Sequence, residues 1–137
     1  MKLTHYTDYS LRLLVHLAAN PNRLFSIAEI ARRYGISHNH LTKVAHDLRK
    51  TGYVDAVRGR SGGIKLARPA EEITVGEVVR HTETGLGERV RSSPDLALTQ
   101  LMTALDLAMR AYMETLDRYT LADLADADDD IERKILR

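Results

Sequence analysis

The sequence contains no cysteine and no tryptophan, and only one of its 137 residues is phenylalanine. The lack of cysteine excludes disulfides and metal sites built on thiolates. No run of 18 apolar residues occurs, so no membrane span is expected, and the amino-terminal residues lack the apolar core of a signal peptide. We therefore expect a cytoplasmic protein of one domain, with or without a dimerisation arm, whose core is aliphatic.

The net charge of +1 conceals an uneven distribution of charge along the chain. Residues 1–80 hold 13 Lys/Arg and 7 Asp/Glu, whereas residues 81–137 hold 7 Lys/Arg and 12 Asp/Glu. A basic half is the electrostatic footprint of a nucleic-acid-binding protein. Because charge is often distributed unevenly on ordinary protein surfaces, this asymmetry supports nucleic-acid binding only if the same half also contains a DNA-binding motif.

The basic half contains the pattern of a helix-turn-helix. Ser26 and Glu29 form a capping box that opens a short helix, and Gly35 suits the turn after it. Ser37 is suited to cap a second helix, whose apolar residues recur at helical spacing. Those apolar residues are Leu41, Val44, Ala45 and Leu48.

The second helix of this motif offers polar and basic side chains to base edges. Asparagine pairs with adenine, lysine donates to guanine, and the methyl group of threonine suits thymine. The candidate DNA-reading residues are Ser37, His38, Asn39, His40, Thr42, Lys43 and Arg49. Each one alone is more often an ordinary surface residue, but the set predicts a helix that enters the major groove of double-stranded DNA.

A basic hairpin follows the motif. Residues 53–58 and 64–68 predict paired strands, and the glycines between them permit positive φ. The candidate phosphate or minor-groove contacts are Arg58, Arg60, Ser61 and Gly62. An ordinary solvated hairpin is the alternative, but no acidic residue lies between Val57 and Pro69. The segment lacks the spacing of a phosphate-binding loop, and no catalytic or metal motif occurs, so neither an enzyme nor a metal site is expected.

A long apolar helix is expected in the last third of the chain, with Ser93 as its cap and Pro94 as its first residue. About 22 residues would make it about 33 Å long, which exceeds what so small a core requires. We expect its apolar side to pack on the same helix of a second chain, with packing across its own domain as the alternative. The candidate dimerisation residues are Leu98, Leu101, Met102, Leu105, Met109, Tyr112 and Met113.

The expected fold is mainly α with a small β-hairpin wing, a winged helix-turn-helix plus a long dimerisation helix. A first helix is expected over residues 7–19, a capping box of Thr74 and Glu77 opens a short helix, and Thr120 caps a last one. The expected parts are a DNA-binding domain over 1–80, a loop over 81–93, the dimerisation helix and short C-terminal helix over 94–125, and an acidic tail over 126–137.

Five segments resemble the Rrf-two family of bacterial winged-helix regulators, most closely its nitric-oxide-responsive, NsrR-like subgroup. They are LTHYTDYSLRLLVHLA (3–18), IAEIARRYGISHNHLTKV (27–44), GYVDAVRGRSGGIKLARP (52–69), ITVGEVVR (73–80) and LDRYTLADL (116–124). The resemblance implies a transcriptional repressor that forms a homodimer on the long helix and binds a palindromic operator. It also implies that His38, Asn39, His40 and Lys43 lie on the reading helix, with the wing at the flanking groove.

The chain departs from this subgroup after the short helix. The resemblance implies that members of this subgroup carry three cysteines between the short helix and the long one. Those cysteines hold an iron–sulfur cluster whose reaction with nitric oxide releases DNA. In this chain Thr99 stands about where the third cysteine would lie. A cluster without cysteine or clustered histidine is chemically implausible, so no iron–sulfur cofactor is expected. Because the loop is also slightly shorter than that of the family, we expect a natural cluster-free relative, with an engineered removal of the cysteines as the alternative. Asp8 matches an acidic position that, in some relatives, faces the cluster from the partner chain; without thiolates, its expected role is charge compensation at a helix N-terminus.

Two alternatives to a repressor without a cofactor stay open. One is a haem- or small-molecule-responsive regulator, with His5, His16 or His81 as the haem ligand and an effector region that includes Asp8, His81 and Thr99. The other is a protein-interaction adaptor that has lost DNA reading, which the acidic tail and the missing sensor motivate.

Overall fold

Helices and a hairpin form the fold in the computed structural model, which describes residues 2–85 and 95–126. The helices are α1 (His5–Ala19), α2 (Ile27–Tyr34), α3 (His38–Lys50), α4 (Val75–Thr82) and α5 (Leu96–Leu116). Strands β1 (Val54–Val57) and β2 (Gly63–Leu66) pair antiparallel, with Val54 opposite Leu66 and Val57 opposite Gly63. A 3-10 turn (Ala70–Glu72) leads into α4, and residues 121–126 are again helical. The predicted fold class, mainly α with a hairpin wing, is confirmed.

Some predicted segments lie outside the described residues. These are most of the loop over 81–93, the predicted cap Ser93 with Pro94, and all but the first residue of the acidic tail over 126–137. Within residues 2–85 and 95–126, no helix combines the length and the apolar character that crossing a membrane requires.

The boundaries of α2 follow from local chemistry, as predicted. The Ser26 hydroxyl accepts from the Glu29 amide at 3.2 Å, and the Glu29 carboxylate accepts from the Ser26 amide at 2.9 Å. Both exchanges satisfy amides at the helix start that have no partner within the helix. At the other end Gly35 has φ of 64°, a left-handed conformation that disfavours any side chain. The turn into α3 is therefore fixed by Gly35.

Two helix starts differ from the sequence prediction because a nearby residue provides the cap. α1 begins at His5 rather than at residue 7, since the Thr4 hydroxyl accepts from the Thr7 amide at 3.3 Å. α5 begins at Leu96 rather than at Pro94, because Asp95 is its N-cap and accepts from the Ala97 amide at 2.9 Å. Aspartate caps a helix as well as serine does.

One core joins α1, α2, α3 and the hairpin. Leu13 and Leu14 of α1 and Leu41 and Leu48 of α3 are completely buried within it. The hairpin is attached through Ile64, which exchanges two backbone hydrogen bonds with Phe25, at 3.1 and 2.8 Å. Burial of the apolar side of α3 fixes the rotation of this helix, and hence which side chains it presents to solvent.

The end of the chain returns to the amino-terminal body. The Val75 amide donates to the carbonyl of Tyr119 at 2.8 Å, and the Leu121 amide donates to the carbonyl of Ile73 at 2.9 Å. Thr120 caps the helical residues 121–126, as predicted, by accepting from the Asp123 amide at 3.1 Å. These contacts anchor the carboxyl end of α5 to the rest of the protein.

Candidate nucleic-acid interface

α3 presents a continuous polar side opposite its buried side. Its buried residues are Leu41, Val44, Ala45 and Leu48. Because successive residues of an α-helix are about 100° apart, four others point directly away from the core. These four, the outward face of α3, are Asn39, Lys43, His46 and Lys50, and all are exposed. The face combines an amide, two ammonium groups and an imidazole, the groups that hydrogen-bond base edges and phosphates.

The remaining predicted residues of α3 lie on the flanks of this face, and all are exposed. His38 and Arg49 lie on one flank with Thr42, whose hydroxyl donates to the His38 carbonyl at 2.8 Å. Ser37 occupies the N-cap position, as predicted, but its hydroxyl makes no capping hydrogen bond. The predicted set does not include His46 and Lys50, although their spacing from Asn39 and Lys43 indicates them.

α1 supports the other flank of α3. The His40 ring stacks on the Tyr9 ring with centroids 6.5 Å apart, so His40 is turned towards α1. The Tyr6 hydroxyl donates to the Asp47 carboxylate at 3.1 Å. Burial, together with this hydrogen bond and the charge of Asp47, raises the pKa of Tyr6 to about 12. The carboxylate of Asp47 is thereby held on the α1 side of the outward face.

The wing, residues 54–66, carries an exposed basic tip. Arg58, Arg60 and Ser61 are all exposed. Gly59 has φ of 111°, and its carbonyl accepts from the Gly62 amide at 3.1 Å. A Cβ at Gly62 would lie 2.1 Å from the Val57 carbonyl oxygen, so only glycine fits this turn. The tip therefore has a defined backbone that carries its two guanidinium groups into solvent.

Both ends of the wing meet at one carboxylate of α4. Tyr53, just before β1, donates to the Glu77 carboxylate at 3.2 Å, and Arg68, two residues after β2, donates to both of its oxygens. The Arg68 guanidinium keeps the pKa of Glu77 below its ordinary value. The capping box predicted for Thr74 and Glu77 is observed in its threonine half, because the Thr74 hydroxyl accepts from the Glu77 amide at 3.0 Å.

The predicted effector residues lie on separate elements. Asp8 pairs with Arg12 at 2.9 Å on the exposed side of α1, and the Thr99 hydroxyl donates to the Asp95 carbonyl at 3.0 Å. His81 is exposed on α4, with its ring 5.7 Å from that of Tyr53. The three residues thus lie on α1, α5 and α4 in turn, and each contacts a different residue within the described part of the chain.

The histidines considered as haem ligands are likewise dispersed. His5 lies 5.7 Å from the Tyr9 ring at the start of α1. His16 is half-buried at the other end of α1, where its Nδ1 lies 3.0 Å from the Tyr34 hydroxyl. Across the described ranges, no three His, Cys, Asp or Glu side chains gather where they could hold a metal ion. Since iron–sulfur clusters are held by thiolates and the chain has none, its donor atoms do not fit such a cluster.

The predicted dimerisation residues fall into two groups. At the carboxyl end of α5, Met113 is buried against Val75 and Val79 of its own chain, and Met109 and Tyr112 pack beside it. At the amino end, Leu98, Leu101 and Leu105 lie on one side of the helix and are 44%, 54% and 57% exposed. Met102 is half-buried next to them. Of the predicted dimerisation residues, Met113 thus packs inside its own chain, against α4.

Comparison with known proteins agrees with this geometry. The family described as "Rrf2: Iron-dependent Transcriptional regulator" matches residues 3–127. An HTH-type transcriptional regulator NsrR of Bacillus licheniformis is 47% identical over 99% of this chain and 99% of its own, and that of Bacillus subtilis is 46% identical over 96% and 94%.

Solved structures show the same fold. CymR of B. subtilis, described as the global cysteine regulator, superimposes with a TM-score of 0.82 at 26% identity, covering 93% of this chain and 98% of its own. IscR of T. potens superimposes with a TM-score of 0.77 at 29% identity, covering 93% and 88%. The relatives are named as transcriptional regulators and not as enzymes. This chain belongs to the Rrf2 family of transcriptional regulators.

Proposed function

We propose that the protein is a cytoplasmic, homodimeric repressor that binds a palindromic operator in double-stranded DNA. The observation that carries the proposal is the outward face of α3, whose four residues are all exposed, in the same part of the chain as a basic wing tip. A helix places its side chains against base edges in the major groove, and a glycine-bearing loop with arginines approaches the neighbouring minor groove or its phosphates. The family membership supports the same assignment.

Asn39 and Lys43 are the proposed base-reading residues. They lie in the first half of α3 on its outward face, where a recognition helix meets base edges. Lys50 and His46, further along the helix, are placed to meet phosphates, as are Arg58 and Arg60 of the wing. This division assigns sequence recognition to the first half of α3 and shares the electrostatic attraction between the second half of α3 and the wing.

The proposed dimer forms along the amino half of α5. Leu98, Leu101 and Leu105 make an apolar stripe that has no cover within the described residues of its own chain, and exposed leucines at helical spacing favour a partner helix. A second copy related by a twofold axis would double the reading helices. Two such helices require two inverted half-sites about one helical turn apart, which is a palindrome.

The proposed regulator works without a cysteine-ligated cluster. Its relatives belong to a family described as iron-dependent, but this sequence offers no thiolate to iron. We therefore propose that its affinity for DNA does not respond to nitric oxide through iron–sulfur chemistry. Neither the haem alternative nor the adaptor alternative gains a specific supporting contact within the described residues.

Fluorescence anisotropy on the promoter of the protein's own gene tests this proposal. We expect tight binding to a palindrome, at least about a thousandfold tighter than to the same bases shuffled, with affinity falling steeply as salt rises. Repeating the titration anaerobically, after incubation with iron and sulfide and then with a nitric-oxide donor, should leave the affinity unchanged. Equal affinity for shuffled DNA would contradict the sequence-specific function, and a nitric-oxide response would contradict the cluster-independent regulation.

A further inference from the structure

The wing is a small element that depends on outside support. Each of its strands has four residues, and an isolated two-stranded hairpin of this size is marginally stable in water. Ile64 holds β2 to Phe25, and Val54 of β1 is buried in the core, so the base of the hairpin is anchored in the protein body. The side-chain contacts just outside its two strands add a further restraint on its orientation. The residues at these two ends are Tyr53 and Arg68, and both donate to Glu77.

Glu77 joins these two ends through a part-buried phenol and a guanidinium that pairs with it while about a third of each charged side chain stays exposed. Tyr53 is 6% exposed, so its hydroxyl is turned from bulk water towards the carboxylate. The Arg68 guanidinium lies 5.7 Å from the Tyr53 ring and also donates to the Glu72 carbonyl at 3.2 Å. Burial of Tyr53 and the charge of Glu77 raise the pKa of the Tyr53 phenol. One carboxylate thus fixes a buried phenol at the start of one strand and an arginine just past the end of the other.

We infer that Glu77 is a positioning residue for DNA binding, which holds the wing in the orientation that brings Arg58 and Arg60 to the duplex. The inference rests on the proposed function and names a residue that itself does not face DNA. With glutamine in its place, one neutral oxygen remains to accept from both the Tyr53 hydroxyl and the Arg68 guanidinium, and the second oxygen and the negative charge that hold Arg68 are lost. The wing then samples other orientations, and its tip loses phosphate contacts that require a fixed distance from α3.

The sign of the expected effect separates this inference from simple electrostatics. Replacing Glu77 with glutamine removes one negative charge, and a more positive protein should bind DNA more tightly if charge alone mattered. Loss of wing positioning predicts the opposite, weaker binding. Glu71→Gln is the matched control, because it makes the same change in charge at an exposed position of the 3-10 turn near Arg68.

The test combines operator affinity with amide hydrogen exchange of the free protein. We expect Glu77→Gln to weaken binding to the palindrome roughly tenfold. The slope of log affinity against log salt concentration should fall by up to about two, which corresponds to about two lost phosphate contacts. The affinity of Glu71→Gln should stay within about twofold of wild type. In a protein that already carries Arg58→Ala and Arg60→Ala, adding Glu77→Gln should weaken binding no further. Exchange in residues 54–66 should accelerate in Glu77→Gln and not in Glu71→Gln.

Several outcomes would overturn the inference. One is an affinity of Glu77→Gln for the operator that equals or exceeds that of the wild type. Another is an equal loss of affinity when Glu77→Gln is added to the protein that lacks Arg58 and Arg60. A third is an unchanged rate of amide exchange in the wing of Glu77→Gln. If Glu77→Gln does not fold, Tyr53→Phe keeps the ring and removes only the donor, and a roughly threefold loss confined to the protein with an intact wing is expected. A separate result would refute the proposed function rather than this inference. If exchange accelerates in Glu77→Gln but the wild type recognises no operator, Glu77 still supports the wing, and the protein is not a sequence-specific repressor.

Discussion

Asn39 lies on the outward face of α3, at the second residue of the helix, and its side chain is exposed to solvent. Asparagine offers a donor and an acceptor in one plane, which matches the edge of adenine in the major groove. A side chain in this place reads sequence, whereas a guanidinium at the wing tip reads only the presence of phosphate. The two residues should therefore respond differently to substitution.

We expect Asn39→Ala to weaken binding to the operator by about 1–3 kcal/mol and to relax the preference at one base position in each half-site. Arg60→Ala should weaken binding to all sequences alike and lower the salt slope by about one. The measurement is anisotropy on a panel of operators with single base changes. Asn22→Ala, exposed in the turn after α1, is the control. An Asn39→Ala protein that keeps the full base preference would exclude Asn39 from recognition.

At the residue scale, the sequence predicted correctly which side of α3 is buried, because its apolar residues recur at helical spacing. Leu41 and Leu48 are buried as expected, which placed Asn39 and Lys43 outward. The apolar spacing leaves the phase of α3 uncertain by about one residue, so it groups His40 with the readers although the His40 ring stacks on Tyr9. That stacking joins two residues that are 31 positions apart, on α1 and α3, and the spacing of apolar residues within α3 carries no information about it.

At the scale of elements, α4 is the piece that joins the others. Glu77 in its first turn holds the wing, and Glu83, just after its last residue, accepts from the Thr4 amide at 2.6 Å and from the Thr7 hydroxyl at 2.6 Å. Arg80 donates to both oxygens of Asp117 at the end of α5, at 2.6 and 2.7 Å. Three sets of contacts, each centred on one carboxylate, thus attach this eight-residue helix to the wing, α1 and α5.

These three carboxylates make the free energy of unfolding depend on pH. The hydrogen bond from Arg68 lowers the pKa of Glu77, that from Thr7 lowers the pKa of Glu83, and that from Arg80 lowers the pKa of Asp117. A carboxyl group whose pKa is lower in the folded state stabilises the fold above its unfolded value, 4.5 for Glu and 3.8 for Asp, and the contribution is lost as pH falls through the folded value.

We therefore expect the free energy of unfolding, measured with urea, to change little through these three groups between pH 7 and pH 5 and to fall below about pH 4. Glu83→Gln should be less stable than wild type at pH 7, and the difference should narrow as pH falls. Glu71→Gln, exposed on the 3-10 turn, is the control that should follow the wild-type curve. A constant difference between Glu83→Gln and wild type across this range would show that the Glu83 charge does not stabilise the fold.

Elements set by neighbouring residues were predicted well, and contacts between distant segments were not. The capping box of α2 needs only Ser26 and Glu29, and the turn after it needs only Gly35. The pairing of Thr74 with Thr120 closes the chain on itself across 46 positions and has no local signal. Likewise, Glu77 fits a capping box by spacing, but its acceptor role towards the two ends of the wing depends on where the wing folds.

At the scale of the whole molecule, α5 is attached at one end and exposed at the other. Its carboxyl end is buried through Met113, while leucines of its amino half are open to solvent. We expect Leu105→Asp to convert a dimer into monomers, because it places a charge in the proposed apolar contact. Leu107→Asp is the matched control: Leu107 is 58% exposed against 57% for Leu105, but it lies on a different side of the helix.

Sedimentation velocity measures whether each variant is a dimer or a monomer. If Leu105→Asp and Leu107→Asp dissociate equally, the dimer contact lies elsewhere.

The central claim is that two copies of the chain bind one DNA duplex together. The mass of the protein–DNA complex, measured by native mass spectrometry, tests this claim most directly. We expect two chains on a palindromic operator for the wild type and for Leu107→Asp, and no stable two-chain complex for Leu105→Asp at the same concentration. A single wild-type chain bound to the full palindrome, or two chains bound equally well when the half-sites are moved apart by half a helical turn, would contradict the account.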